Sequence, residues 1–259
     1  PLIVCWRGGQ RSGSLTHALR RIGWDAQQLA GGYKTYRRLV IDNLSELPRH
    51  LQLQVICGAT GSGKSRILQA IGRLGEQIID LEELACHKGS VLGVLPDCPQ
   101  PSQKMFESRL LSVLQGLDPA RTVYVEAESR KIGVLQLPTA LIEMMRAGKC
   151  VHIEASLAAR VDFLLRDYDY FLNAPEWLTA RLQPLRNLQS TETIVRWGEY
   201  VHDGLWRELV SELLQLHYDP LYSRSQQQNY AGFSAPLTLS SDDLTPAGIE
   251  ALARQVCAG

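Results

Sequence analysis

Eight residues, G-A-T-G-S-G-K-S at 58–65, leave this chain few ways to fold. They match G-x-x-x-x-G-K-[ST] in full. They also stand where that pattern has a mechanism, after the apolar run L-Q-V-I-C and before a stretch that reads as a helix from 64 to 74. Glycine lets such a loop turn its backbone N–H groups toward phosphate oxygens, and the helix N-terminus adds positive potential. Gly58, Ala59, Thr60, Gly61, Ser62, Gly63, Lys64 and Ser65 are therefore the expected phosphate cradle. Lys64 is placed to reach terminal phosphates and Ser65 to ligate Mg²⁺. The motif specifies a di- or triphosphate; it does not specify which, or whether hydrolysis follows.

A strand–helix rhythm surrounds the loop. Apolar runs at 53–57, 76–80, 122–128 and 150–155 read as buried strands, and 64–74, 103–114 and 140–147 read as the helices between them. This alternation predicts an α/β domain with a parallel sheet covered on both faces. From 157 to 216 the pattern is mostly helical, broken at Pro175 and Pro184. Residues 235–240 read as a fifth strand and 246–256 as a closing helix. In parallel sheets the carboxyl ends of strands face the ligand. Asp80, Glu126 and Glu128 fall there and are candidates for the metal side, against an equal reading as surface carboxylates. Arg130 follows at once and is a candidate phosphate clamp. His87 lies in a loop expected to face substrate, and Tyr222, Arg224 and Ser225 form a polar cluster near the end of the helical region. Trp177, Trp197 and Trp206 have apolar neighbours and read as core.

The front of the chain has a different character. Its first residues, P-L-I-V-C-W-R-G-G-Q-R-S, form a short strand delivering Cys5 into a loop of glycines and arginines, followed by a helix over 14–22. Loop amides, the helix N-terminus, Arg7 and Arg11 would stabilise a thiolate there, so Cys5 reads as reactive. Trp6, Gly8, Gly9 and Gln10 complete the loop. Residues 1–38 carry seven basic side chains against one acidic, so with a net charge of zero the remainder is net acidic by six. That imbalance suits a polyanion or an anionic substrate, although charge alone favours the plainer reading of a solvated helix face. A polar stretch at 42–50 reads as a linker. The six cysteines include no C-x-x-C pair, which argues against a zinc ribbon or disulfide framework and fits a reducing cytoplasm. No apolar stretch is long enough to span a bilayer, so no membrane partner is expected. The chain opens inside a strand without Met, and upstream residues are expected.

The loop C-W-R-G-G-Q-R-S resembles the active-site loop of rhodanese sulfurtransferases. Joined to a P-loop domain, it resembles one family, the tRNA 2-selenouridine synthases. The resemblance runs through A-G-G-Y-K-T-Y-R, G-A-T-G-S-G-K-S, D-L-E-E-L-A-C-H-K-G-S-V-L-G, M-F-E-S, V-E-A-E-S-R-K-I-G and Y-D-P-L-Y-S-R-S, in order, up to about Ser225. It implies a partial rhodanese-like segment at 1–45, with more such sequence upstream, and a P-loop domain at 46–259 with a helical subdomain at about 157–216. It implies a tRNA-modifying transferase acting on wobble 2-thiouridine. The enzyme would geranylate the sulfur from geranyl diphosphate, then replace it with selenium from selenophosphate. Mg²⁺ as cofactor, tRNA as partner and a selenophosphate-supplying enzyme as a second partner follow from the same resemblance. So do roles for Cys5 in the selenium step and for Lys64 at the diphosphate. Two other readings compete. One is a P-loop kinase or ATPase with a rhodanese-like sulfurtransferase or regulatory segment. The other is a non-catalytic RNA-binding protein, against which the intact phosphate loop and Cys5 both argue.

Overall fold

The structure, a computed structural model, describes residues 1–7, 9–222, 230 and 236–259. Five parallel strands form its central sheet: β3 (Gln52–Gly58), β4 (Gln77–Ile79), β5 (Thr122–Glu126), β8 (Lys149–Glu154) and β9 (Leu237–Ser240). Their spatial order is β4-β5-β3-β8-β9. The phosphate-loop strand β3 thus lies at the centre, with Ile56 in register with Glu126 on one side and Val151 on the other.

Strand alternation assigns the two faces. Leu53, Val55 and Cys57 of β3, with Val123 and Val125 of β5, face one core cluster. Helices α5 (Gln103–Gln115) and α6 (Thr139–Ala147) close that face with Phe106, Leu110, Leu114, Leu141 and Met145. Ile56, Tyr124, Val151 and Ile153 face the opposite way. They meet α3 (Lys64–Arg73) and the C-terminal helix Pro246–Ala258 through Ile67, Ile71, Ile249 and Val256. Strands this apolar on both faces need cover on both, and the helices supply it.

Residues 157–218 form a helical module with its own core. It contains α7 (Leu157–Asp167), α8 (Asp169–Leu172), α9 (Pro175–Leu182), α10 (Thr191–Asp203) and α11 (Trp206–Glu212). Ser156 and Ser190 cap α7 and α10 by accepting from the N–H groups of Ala159 and Thr193. Trp197 is fully buried, and its indole N–H donates to Glu212, which also accepts from Arg196 and Tyr200.

At the front, β1 (Leu2–Ile3) pairs in parallel with β2 (Gln27–Gln28), around α1 (Gln10–Arg21). The stretch 42–50, expected as a linker, is instead the end of α2 (Gly32–Glu46) and a 3₁₀ turn, Leu47–His50. Val40 and Leu44, one helical turn apart, bury in the sheet's core and hold that stretch helical. Arg37 of α2 also forms an ion pair with Glu107 of α5, so the front of the chain is fastened to the sheet domain. Helix α1 buries Ser12 and Thr16, while Leu15 and Ile22, the residue just past its end, are exposed. Among the described residues no helix is long and apolar enough to cross a membrane.

Candidate active site

The carboxyl end of β3 turns at Gly58, whose φ of 152° is combined with a close approach to β8. A Cβ there would lie 2.7 Å from the Ile153 carbonyl oxygen, so only glycine fits without a shift. The Gly58 N–H donates to the Tyr222 hydroxyl, which fastens the end of the helical region to the loop. Lys64 begins α3 and its Nζ donates to the carbonyls of Gly58 at 2.7 Å and Ala59 at 3.3 Å. Arg160 of α7, buried, donates to the Thr60 carbonyl at 3.1 Å and pairs bidentately with Asp219 at 2.8 and 2.9 Å. The loop is thus braced from both sides before any ligand arrives.

Three carboxylates crowd the same place. Glu82 enters from α4 (Leu81–Ala85), Glu126 from the last position of β5, and Glu128 from the segment after it. An oxygen of each lies within 4.8 Å of the others. The Ser65 hydroxyl is 2.8 Å from Glu82 and 2.7 Å from Glu126. A hydroxyl has one proton to give, so two such contacts require a second proton on a carboxylate or a cation between them. Burial, reinforced by Glu82 and Glu128, pushes Glu126 well above the usual carboxylate range. Glu128 is raised to about 8 by burial and then by Glu82, and Glu82 to about 7 chiefly by burial. Glu126 Oε1 is buried without a hydrogen-bond partner. A hard divalent cation takes oxygen donors of this kind, and the Ser65 hydroxyl with these three carboxylates can supply them.

The loop and the carboxylates line an open cleft. Its other cations are Arg66 and Lys88, both bonded to Asp167 at 2.6 Å. A second cavity adjoins it and shares Thr60, Ser90, Leu164, Tyr168 and Tyr218 with it. Beyond those five residues the second cavity is lined by apolar side chains alone, among them Leu92, Phe171, Trp206 and Leu213. A charged cleft therefore opens sideways into a hydrocarbon-lined one.

Other residues expected at the site fall elsewhere. Asp80 caps α4, its carboxylate accepting from the Glu83 N–H at 2.8 Å and from Gln69 at 3.1 Å. His87 is 3% exposed and does not line the cleft. Gly93 packs against its ring, and burial, then Arg181, lower its basicity. Its neighbour Lys88 reaches the cleft instead. Arg130 is exposed at the start of the hairpin β6 (Lys131–Ile132) and β7 (Leu135–Gln136), outside the cleft wall. Gly8, Arg224 and Ser225 lie outside the described residues.

The thiol loop is a separate place: among the described residues, none from 1 to 46 lines the cleft. The Ser12 hydroxyl donates to Cys5 Sγ at 3.2 Å, and the thiol faces the Arg7 carbonyl at 3.1 Å. Gln28 donates to the Ser12 oxygen at 3.0 Å and to the Gly9 carbonyl at 2.6 Å, which fixes both. The Ser12 hydroxyl first, then the Ser12, Gly9 and Arg7 backbone, lowers the Cys5 thiol to about 7. Arg7, Gln10 and Arg11 are exposed. Gly32, at φ +60°, lies against the Cys5 carbonyl, where any Cβ would collide. Trp6 stacks on Tyr33 with ring centres 4.8 Å apart, and Lys104 of α5 sits 4.9 Å from the Trp6 ring.

The family profile described as the tRNA 2-selenouridine synthase AAA domain matches residues 51–181. A tRNA 2-selenouridine synthase of Alcanivorax borkumensis is 34% identical over 248 residues, which cover 85% of this chain and 67% of the relative. The chain belongs to the tRNA 2-selenouridine synthase family. A second family member, from Cupriavidus pinatubonensis, is 36% identical over 263 residues, covering 88% of this chain and 69% of its own. A third, from Nitrosomonas europaea, is 35% identical over 202 residues, covering 75% and 51%. The chain thus spans about half the length of the third relative and about two thirds of the other two. The family match contains the phosphate loop, the three carboxylates, Arg160 and Phe171.

Glu82, Arg160 and Ser12 were not singled out from sequence. Glu82 stands two residues past the strand end that drew attention to Asp80, and the first turn of the next helix was the place to look. Two predictions follow from this geometry. Alkylation of Cys5 should show a pH midpoint near 7, and Ser12→Ala should move it toward the ordinary thiol value of about 8.5; an unmoved midpoint contradicts the Ser12 assignment. The carboxylates bind protons more tightly folded than unfolded, so cation-free stability should fall as pH rises from about 5 to 8. Glu126→Gln should flatten that slope in thermal melts, and an unchanged slope would count against the cluster as its source.

Proposed function

We propose that this chain carries the geranyl-transfer and selenium-exchange chemistry of a tRNA wobble 2-thiouridine. The observation that supports it most is the apolar cavity opening off the phosphate-loop cleft. The ribose and base of a nucleoside triphosphate would bring polar groups to an apolar wall and leave them without hydrogen bonds. A diphosphate with a hydrocarbon tail matches both halves: anion on the loop, chain in the cavity. Burying such a chain stabilises the complex by roughly 0.8 kcal/mol per methylene.

In this reading residues 58–65 grip the diphosphate and Lys64 moves from the loop carbonyls to its oxygens. The thiouridine sulfur attacks the allylic carbon, the carbon–oxygen bond breaks, and its electron pair leaves with the diphosphate. The N3 proton of the base is released. Ser65, Glu82, Glu126 and Glu128 would hold Mg²⁺, which supplies charge neutralisation for the leaving group when bound. The Cys5 thiolate then adds at C2 of the base, the C2–S bond breaks and geranyl thiolate leaves; selenophosphate selenium displaces Cys5 at the same carbon, and water cleaves the P–Se bond to release phosphate. The basic segment 1–38 would meet tRNA phosphates, and an unpaired wobble base would be splayed out for reaction.

Mass spectrometry of a 2-thiouridine tRNA incubated with geranyl diphosphate and Mg²⁺ tests the first half. Lys64→Ala should lower geranyl transfer at least about a hundredfold, in line with losing one charge-stabilising group. Unchanged transfer, or ATP turnover with no geranyl product, would remove the reading. Adding selenophosphate tests the second half: Cys5→Ser should stop selenation and leave geranylation intact, and selenation that survives would contradict the role given to Cys5.

A further inference from the structure

The apolar cavity has a mouth and a far wall made by different parts of the fold. The five residues shared with the charged cleft, which include Thr60 of the phosphate loop itself, form the mouth. The far wall belongs to the helical module: Phe171 of α8, Leu178 of α9, Trp206, Leu209 and Val210 of α11. Phe171, Leu178 and Leu209 are 4%, 5% and 1% exposed, while Trp206 and Val210 at the edge of this wall are half-buried.

The wall is also stiff. The Phe171 ring stacks on Trp177 with centres 4.8 Å apart and lies nearly parallel to Tyr168 at 6.0 Å. Tyr168 is itself held beneath the Lys88 ammonium, 4.0 Å from its ring centre, and Lys88 is fixed by Asp167. A wall of interlocked aromatic rings does not yield by rotamer change as a methionine-lined one would. A molecule held at the phosphate loop with its tail in this cavity would meet that wall.

We propose that Phe171 and its neighbours on α9 and α11 are the chain-length gauge of the site: they set how many isoprene units of a prenyl diphosphate fit between the phosphate loop and the helical module. The inference rests on the geranyl reading above and adds to it which residues choose the chain. Phe171 belongs to the buried wall on the side away from the phosphate loop, so a chain that reaches its ring would extend no further. Removing its ring opens the wall toward Trp177. Val210, half-buried on the same wall, offers the opposite change, since a larger side chain there shortens the cavity.

The test is an internal competition. The protein is given equimolar geranyl and farnesyl diphosphates, with Mg²⁺ and an anticodon stem-loop RNA bearing 2-thiouridine, and the two thioether products are weighed by mass spectrometry. Because both come from one sample, partial loss of folded protein lowers both alike and leaves their ratio untouched. Phe171→Ala should raise the fifteen- to ten-carbon ratio at least about tenfold over wild type, the scale on which hydrophobic pockets discriminate by size. Phe171→Leu, the milder cut, should shift it the same way by less. Val210→Phe should favour dimethylallyl over geranyl diphosphate in the parallel competition. Should Phe171→Ala fail to fold, the other two variants decide. Ratios unchanged in the folded variants, with geranyl transfer intact, overturn the gauge alone. A wild-type protein that transfers no prenyl group overturns the geranyl reading and the gauge with it.

Discussion

Carboxylates pressed together beside a phosphate loop are the constraint on which the rest of this molecule depends. Glu82, Glu126 and Glu128 are brought within 4.8 Å of one another at the carboxyl end of the sheet, around the Ser65 hydroxyl. Burial raises their affinity for protons, and like charges so placed raise it further. Such an arrangement is tolerable with shared protons and becomes favourable with a cation and an anionic ligand beside it. The strand order that sets β5 directly against β3 puts Glu126 next to the loop. The two-sided core beneath keeps it there.

From that charged centre the fold grows in two directions. On one side the helical module leans over the loop, tied by Arg160 to Thr60 and Asp219, by Lys88 to Asp167, and by Tyr222 to Gly58. Its inner wall is apolar, so the charged cleft is flanked by a hydrocarbon-lined cavity. On the other side the Cys5 loop is attached through α2 and the Arg37–Glu107 pair, outside the cleft wall. The thiol loop and the charged cleft are thus two separate places on the fold.

What the sequence disclosed follows from the range of the interactions involved. The phosphate loop and the strands around it were legible, because they rest on local glycine geometry and on apolar runs that read within ten residues. Glu126 and Glu128 were legible from their position at a strand end. Tertiary partners decided the others. Asp80 looks the same on paper as Glu126, yet its carboxylate is occupied by the Glu83 N–H and Gln69. The sequence credits Arg7 and Arg11 with stabilising a Cys5 thiolate, whereas in the fold Ser12 first and then the loop backbone lower its pKa and the two arginine side chains are exposed. The apolar cavity was invisible for the plainest reason: its walls come from Thr60, Leu92, Phe171 and Trp206, and only the folded chain joins them.

The central claim is that one ligand occupies both the charged cleft and the apolar cavity. A crystal structure of the protein with Mg²⁺ and geranyl S-thiolodiphosphate, which resists transfer, tests it most directly. The account predicts the diphosphate on the amides of 58–65 beside Lys64, and the ten-carbon chain running past Tyr168 to the Phe171 wall. A hydrocarbon chain left in solvent, or a diphosphate bound away from the loop, would contradict it.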